Sequence, residues 1–261
     1  MIRAEGIFKQ FGDQEVLKGV DFTFESGKTN LIIGRSGAGK TVLLKILVGL
    51  FPPTQGRVWF NDIDYTNLDK KGILAIRKKV GMLFQGNALF DSMTIEENIR
   101  FPMDMFTPMT SLEKQMRVDE VLERVSLSGV NLKYPSEISG GMQKRVGIAR
   151  AIVLKPKYLF CDEPNSGLDP KTSITIDELI SDITNEEDIT TIINTHDMNS
   201  VMEIGENIIL LEAGRLAWKG NKEQVLGTVN KELDAFIFAS PFLKKLVEAA
   251  KNNGKNSLEN L

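Results

Sequence analysis

Gly34-Arg35-Ser36-Gly37-Ala38-Gly39-Lys40-Thr41 holds the residue types and spacing that point most directly to chemistry. Glycines at 34, 37 and 39 tolerate positive φ and carry no Cβ to block an approaching anion. The Lys-Thr pair completes the G-x-x-x-x-G-K-[ST] spacing of a phosphate-binding loop. Leu31-Ile32-Ile33 before it and Val42-Leu43-Leu44 after it supply the strand–loop–helix setting that the motif needs. Backbone N–H groups of the loop and of the helix start then form an anion site. Lys40 is expected to reach the β- and γ-phosphates of a nucleotide, and the Thr41 hydroxyl to ligate Mg2+.

Other reactive types stand where strands end. Tyr158-Leu159-Phe160-Cys161-Asp162-Glu163 is an apolar run closing on two carboxylates. Asp162 suits the acid that holds the metal of a phosphate-loop enzyme. Glu163, next along and expected on the other face, is free to act as a general base on water. Gln85 follows the strand Val80 to Phe84, and His196, the one histidine, follows the strand Ile189 to Asn194. Open α/β sheets bind ligands at the carboxyl ends of their strands, so Gln85, Glu163 and His196 are expected to gather along one sheet edge. The Gln85 amide has two roles open to it there, ligating Mg2+ or orienting water, besides simply ending a strand. Ser139-Gly140-Gly141 opens a further helix and makes a second anion site. Asp169-Pro170 reads as an N-cap followed by proline at the first helical position. Phe11, ahead of the loop, fits either a base-stacking platform or an ordinary edge aromatic.

These residues need an alternating frame to hold them. Short strands are predicted over Arg3–Phe8, Val20–Phe24 and Thr29–Ile33, with turns at Phe11-Gly12 and Ser26-Gly27. After the first helix come a strand over Arg57–Phe60 and a polar helix from about Leu68 to Lys79. From Thr94 to about Leu127 the pattern is helical, with Val118, Val121, Leu122 and Val125 on one face. The Met- and Phe-rich stretch Phe101–Met109, flanked by prolines, is expected to interrupt it, as core packing or as an adaptable contact surface. Strands over Asn207–Leu211 and Arg215–Lys219 follow. The rest reads as short helices carrying an apolar cluster, Phe236, Ile237, Phe238, Phe242 and Leu243, that could clasp a neighbouring subunit, and then a polar tail.

Composition narrows the partners. With 32 basic and 35 acidic residues the formal charge is −3, which gives no field for nucleic acid or anionic lipid. A single cysteine, Cys161, within an apolar strand suits a buried filler in a reducing compartment. No apolar run reaches the ~18 residues of a membrane span, so any membrane role is expected to come through a partner.

The phosphate loop, Gln85, Ser139-Gly140-Gly141, Asp162-Glu163, Asp169 and His196 together resemble, in order and spacing, an ATP-binding cassette ATPase over about residues 1–225. The resemblance implies an α/β P-loop NTPase fold: a RecA-like core, an antiparallel β subdomain and an inserted α-helical subdomain over about 87–155. Residues 226–261 would form a C-terminal helical extension. It further implies a head-to-tail homodimer sandwiching ATP and Mg2+, with Ser139, Gly140 and Gly141 of one chain closing over the γ-phosphate held by the other. Carried over, Gln85 senses Mg2+ and links to a membrane permease, Asp162 holds the metal, Glu163 is the base, Asp169 crosses the dimer interface and His196 contacts the γ-phosphate. The family usually has Tyr at Phe11, and its signature usually ends in Gln where Met142 stands. Met142, with Leu83-Phe84-Gln85-Gly86-Asn87-Ala88-Leu89-Phe90, is similar to the ATPases of Mla-type phospholipid transporters. Those work at the cytoplasmic face of the inner membrane with a permease and an MCE-domain lipid-binding protein. A small-solute importer, and a soluble cassette acting on DNA or ribosomes, are the competing readings.

Overall fold

A computed structural model describes residues 1–227 and 230–237. In chain order the strands are β1 (Ile2–Phe11), β2 (Gln14–Phe24), β3 (Thr29–Ile33), β4 (Gln55–Phe60), β5 (Ile63–Asp64), β6 (Val80–Leu83), β7 (Tyr158–Asp162), β8 (Thr190–Thr195), β9 (Asn207–Glu212) and β10 (Arg215–Gly220). The helices are α1 (Lys40–Leu47), α2 (Lys70–Arg77), α3 (Ile95–Phe106), α4 (Ser111–Arg124), α5 (Gly140–Ile152), α6 (Pro170–Glu186), α7 (Met198–Ile204), α8 (Lys222–Gly227) and α9 (Lys231–Ile237).

One sheet has the order β10-β9-β3-β8-β7-β6, parallel except for the β9–β10 pair. Every residue of β3, β7 and β8 is buried, as strands covered on both faces require. The pleat sends successive side chains to opposite faces. Leu31, Ile33, Leu159, Cys161, Ile193, Ile208 and Leu210 meet a core built with α3 to α7. Ile32, Phe160, Ile192, Ile209 and Leu211 meet a second core built with α1, β1, β2 and β4. A four-stranded antiparallel sheet, β2-β1-β4-β5, covers that second face. This is the mixed α/β plan expected from the motif order. Among the described residues no helix is long and apolar enough to cross a membrane.

Two expectations change. The Phe101–Met109 stretch does not interrupt the helix at its first proline: α3 runs through Pro102 to Phe106, and the break falls at Thr107–Thr110. Proline inside a helix costs about 3 kcal/mol or more. Here a Thr94–Glu97 capping box and the fully buried Ile95, Ile99 and Met103 hold the helix. Met103 is therefore core, whereas Met105 is 59% exposed, so the stretch divides between the two roles read from it. In the C-terminal cluster, Phe236 and Ile237 bury into the chain's own core with Leu233. Phe238, Phe242 and Leu243 lie outside the described residues.

The helix α5 lies so close to β6 that a Cβ on Gly81 would fall 2.2 Å from the Ala151 carbonyl oxygen. Gly147 meets Leu83 from the other side. Gly81→Ala is expected to destabilise the chain by roughly 2–3 kcal/mol through this backbone clash, read as a lower urea midpoint with unchanged slope.

Candidate active site

The glycine loop leaves β3 and turns into α1 against the end of β9. A Cβ on Gly34, at φ 149°, would meet the Leu211 carbonyl oxygen at 2.3 Å. Gly39 caps α1 in the left-handed region, at φ 104°. Ala38 is buried in the core beneath the loop. Arg35, Ser36, Gly37, Gly39, Lys40 and Thr41 line a cleft of about 1320 Å³, ample for a nucleoside triphosphate. Gln85, Glu163 and His196 line the same cleft, so the expected gathering at one sheet edge is present.

Lys40 is nearly buried, and its Nζ donates to the carbonyl oxygens of Gly34 (2.9 Å) and Arg35 (3.3 Å). It also lies 3.7 Å from Glu163 Oε1. Burial lowers its pKa, and the Glu163 carboxylate pulls the other way. The second Glu163 oxygen, Oε2, is 2.8 Å from His196 Nδ1. Glu163 thus sits between a cation and an imidazole, with its carboxylate mostly covered while the His196 ring is 62% exposed. Its direction is not set by strand pleat, as the sequence suggests. β7 ends at Asp162, and Glu163 itself adopts φ 51° while its N–H still bonds the Asn194 carbonyl. The left-handed step turns the side chain into the cleft.

Behind Thr41 is a tight polar knot. Thr41 Oγ1 donates to Asp162 Oδ1 (3.2 Å), and Asn194 Nδ2 donates to the same carboxylate oxygen (2.6 Å) and to Thr41 Oγ1 (3.3 Å). Burial raises the Asp162 pKa, and the bonds from Thr41 and Asn194 oppose it. Asn194 was not singled out from the sequence, although a buried amide closing the apolar run Ile192-Ile193 is the same signal as Asp162 closing β7. Among the described residues no group of three or more His, Cys, Asp or Glu side chains could hold a metal. The knot instead offers one hydroxyl and one carboxylate, hard oxygen donors that suit Mg2+ when phosphates and water complete its shell. Bound there, the ion would supply neutralising charge to the phosphate oxygens.

Other predicted residues stay outside the cleft. Phe11 is 43% exposed, edge-on to Phe51 at 5.6 Å with Lys9 Nζ 4.9 Å over its ring. Ser139 caps α5, its Oγ accepting from Met142 N at 3.3 Å, and with Gly140 it is exposed. A Cβ on Gly141 would fall 2.9 Å from Thr172 Cγ2 in the first turn of α6. Asp169 caps that helix, accepting from Thr172 N and Oγ1, and these bonds lower its pKa. Lys144, one turn into α5, is 3% exposed, and its Nζ has no hydrogen-bond partner among the described residues. Burial lowers its pKa against the pull of Cys161, Asp162 and Glu163.

A glycine loop joining the central parallel strand to α1, and carboxylates closing the strand two places along the sheet, define a nucleotide-binding cassette. The ABC transporter family model matches residues 17–166, and the chain belongs to that family. It is 39% identical over 225 residues to the Mycobacterium tuberculosis "Probable ribonucleotide transport ATP-binding protein mkl", covering 86% of this chain and 63% of that protein. It is also 39% identical over 234 residues to "Methionine import ATP-binding protein MetN" of Carboxydothermus hydrogenoformans, covering 84% of this chain and 69% of that one. The chain thus spans less than two thirds of the length of the first of these relatives. Among solved structures it resembles the ATP-binding cassette MJ0796, a dimer in a post-hydrolysis state bound to ADP and Pi, at TM-score 0.78 and 31% identity. That match covers 85% of this chain and 99% of the other.

Asn194→Ala is expected to weaken Mg2+-dependent nucleotide binding about 10- to 100-fold, since a partner that orients a metal-holding carboxylate typically carries that much. A Mg2+ titration of nucleotide affinity checks it, with nucleotide binding in EDTA little changed.

Proposed function

We propose that this chain is the ATP-binding and ATP-hydrolysing subunit of a membrane transporter. The observation that carries this reading is a cluster lining the cleft with a second, buried cluster behind the cleft's Thr41 wall. Lys40, Glu163 and His196 surround the place for a terminal phosphate, and Thr41, Asp162 and Asn194 form an oxygen-rich knot beside it. Glu163 takes the proton of an attacking water. Lys40 and the loop N–H groups hold the β- and γ-phosphates, and His196 and Gln85 bracket the γ-phosphate. Arg35, Ser36, Gly37, Ala38 and Gly39 supply the cradle, and the exposed Phe11, outside the cleft, offers a stacking surface to a base that projects from it.

The Ser139-Gly140-Gly141 helix start, exposed at its first two residues, lies away from the chain's own phosphate loop in this reading. In a head-to-tail homodimer it closes on the partner's nucleotide, with Asp169 crossing the interface; the dimeric form of the similar cassette supports this arrangement. Exposed Phe90, Phe101 and Met105 beside the Gln85 loop suit contact with a membrane permease, which would hold the subunit at the cytoplasmic face of the membrane. In this reading residues 1–225 are the cassette, about 87–155 its helical subdomain and 226–261 an extension. Met142 and the run Leu83–Phe90 favour an Mla-type phospholipid transporter with an MCE-domain partner. A small-solute importer is the second reading, favoured by the similarity to proteins named as methionine importers.

Glu163→Gln is expected to keep ATP affinity and to lower turnover roughly 10²- to 10⁴-fold; turnover within a few-fold of wild type overturns the assignment of the base. The same variant, tagged and recovered from native membranes in mild detergent, is expected to bring down a multi-spanning permease with an MCE-domain protein. Recovery of a solute permease alone moves the cargo to the second reading.

A further inference from the structure

One ionisable group beneath the cleft has no role in the chemistry above. Asp177 lies on α6 and is 2% exposed. Its Oδ2 accepts from Asn165 Nδ2 at 2.8 Å, and the same amide donates to Ser200 Oγ at 3.0 Å. Asn165 lies just beyond Glu163 in the loop lining the cleft, and Ser200 lies on α7 just beyond His196. The Asn165 amide therefore joins the two segments that carry Glu163 and His196, and the Asp177 carboxyl holds that amide.

The charges around it are Asp197 and Glu203 from the His196 side; Cys161 on β7 is a thiol that burial keeps neutral. No cation among the described residues forms an ion pair with it. Two buried oxygens of the cluster, Asp177 Oδ1 and Asn165 Oδ1, have no hydrogen-bond partner among the described residues. Both are acceptors while Asp177 is ionised, so each lacks a donor. A proton on Asp177 turns one of them into a donor and removes the buried charge together.

We propose that Asp177 is a positioning residue for hydrolysis, a buried carboxyl that holds the amide bracing the Glu163 loop against the His196 segment and that takes up a proton in mild acid. The bracing half rests on the roles proposed above for Glu163 and His196; the protonation half stands without them. Burial pushes the carboxyl up to about 6, the acids Asp197 and Glu203 add to this, and the Ser200 hydroxyl and Asn165 amide only partly oppose it. The folded-state value lies above the ordinary 3.8. The native chain thus keeps a proton that the unfolded chain releases. Its stability is fullest below the ordinary value and falls as pH rises toward about 6.

The experiment compares full-length wild type, Asp177→Asn, Asp177→Ala and Ser200→Ala by thermal melting across pH and by ATP hydrolysis. Asparagine keeps one donor and one acceptor and cannot ionise. Its melting temperature is expected to gain on wild type by on the order of 5 °C between acid and neutral pH. Its kcat is expected to stay within about threefold of wild type at pH 6, with a flatter profile above. Asp177→Ala and Ser200→Ala are expected to lose on the order of 10- to 100-fold in kcat at nearly constant KM. Parallel melting curves for wild type and Asp177→Asn overturn the proton uptake. Wild-type kcat in a folded Asp177→Ala or Ser200→Ala chain overturns the brace. If Glu163→Gln hydrolyses ATP like wild type, the catalytic assignment falls and the melting comparison still decides the proton.

Discussion

The parallel register of β3, β8 and β7 is the constraint on which the cleft depends. Ile33, the last residue before the glycine loop, stands opposite Thr195, the last before His196. Asn194 stands opposite Asp162, the last before Glu163. These two pairings bring the loop, the acid and the imidazole to one edge without any of them contacting in sequence. A slip of one residue would exchange the faces of every side chain on a strand. The two cores that take alternate residues of these strands forbid it, because Cys161 and Ile193 fit one and Phe160 and Ile192 the other. The register that packs the interior thereby sets the geometry of the polar rim.

The same helix that carries Ser139-Gly140-Gly141 also grips the Gln85 loop. Arg150 Nη2 and Nη1 donate to the Asn87 and Ala88 carbonyl oxygens at 2.6 and 2.9 Å. Both of those residues sit at positive φ, 66° and 48°, a conformation that needs such outside support. Gly81 and Gly147 let the helix approach β6 closely enough to make the grip. A helix whose start is exposed is thus coupled, through its far end, to the loop at the cleft's mouth.

Much of this was legible before any coordinates. Fixed-spacing glycines, buried strands ending in polar residues and capping patterns are local signals, and they point to the phosphate loop, Asp162, Glu163, Gln85 and His196. What escaped was set by distant contacts. Asn194 gains its meaning only from the strand pairing that puts it against Asp162. Pro102 reads as a breaker because local rules count its missing N–H, whereas the buried Ile99 and Met103 outweigh that loss. Asn165, Asp177 and Ser200 come from three segments and meet only in the folded chain.

Glu163 is the one cleft residue held in the left-handed backbone region with a long side chain. Such a conformation costs an L-residue about 1–2 kcal/mol, and glycine would adopt it freely. The chain thus carries a standing local strain at the position where a carboxylate is wanted most. Selection for a sturdier fold and selection for chemistry pull opposite ways at this residue. Variants found by screening for heat resistance alone would therefore be enriched at position 163 for glycine, at the expense of the carboxylate that faces Lys40 and His196.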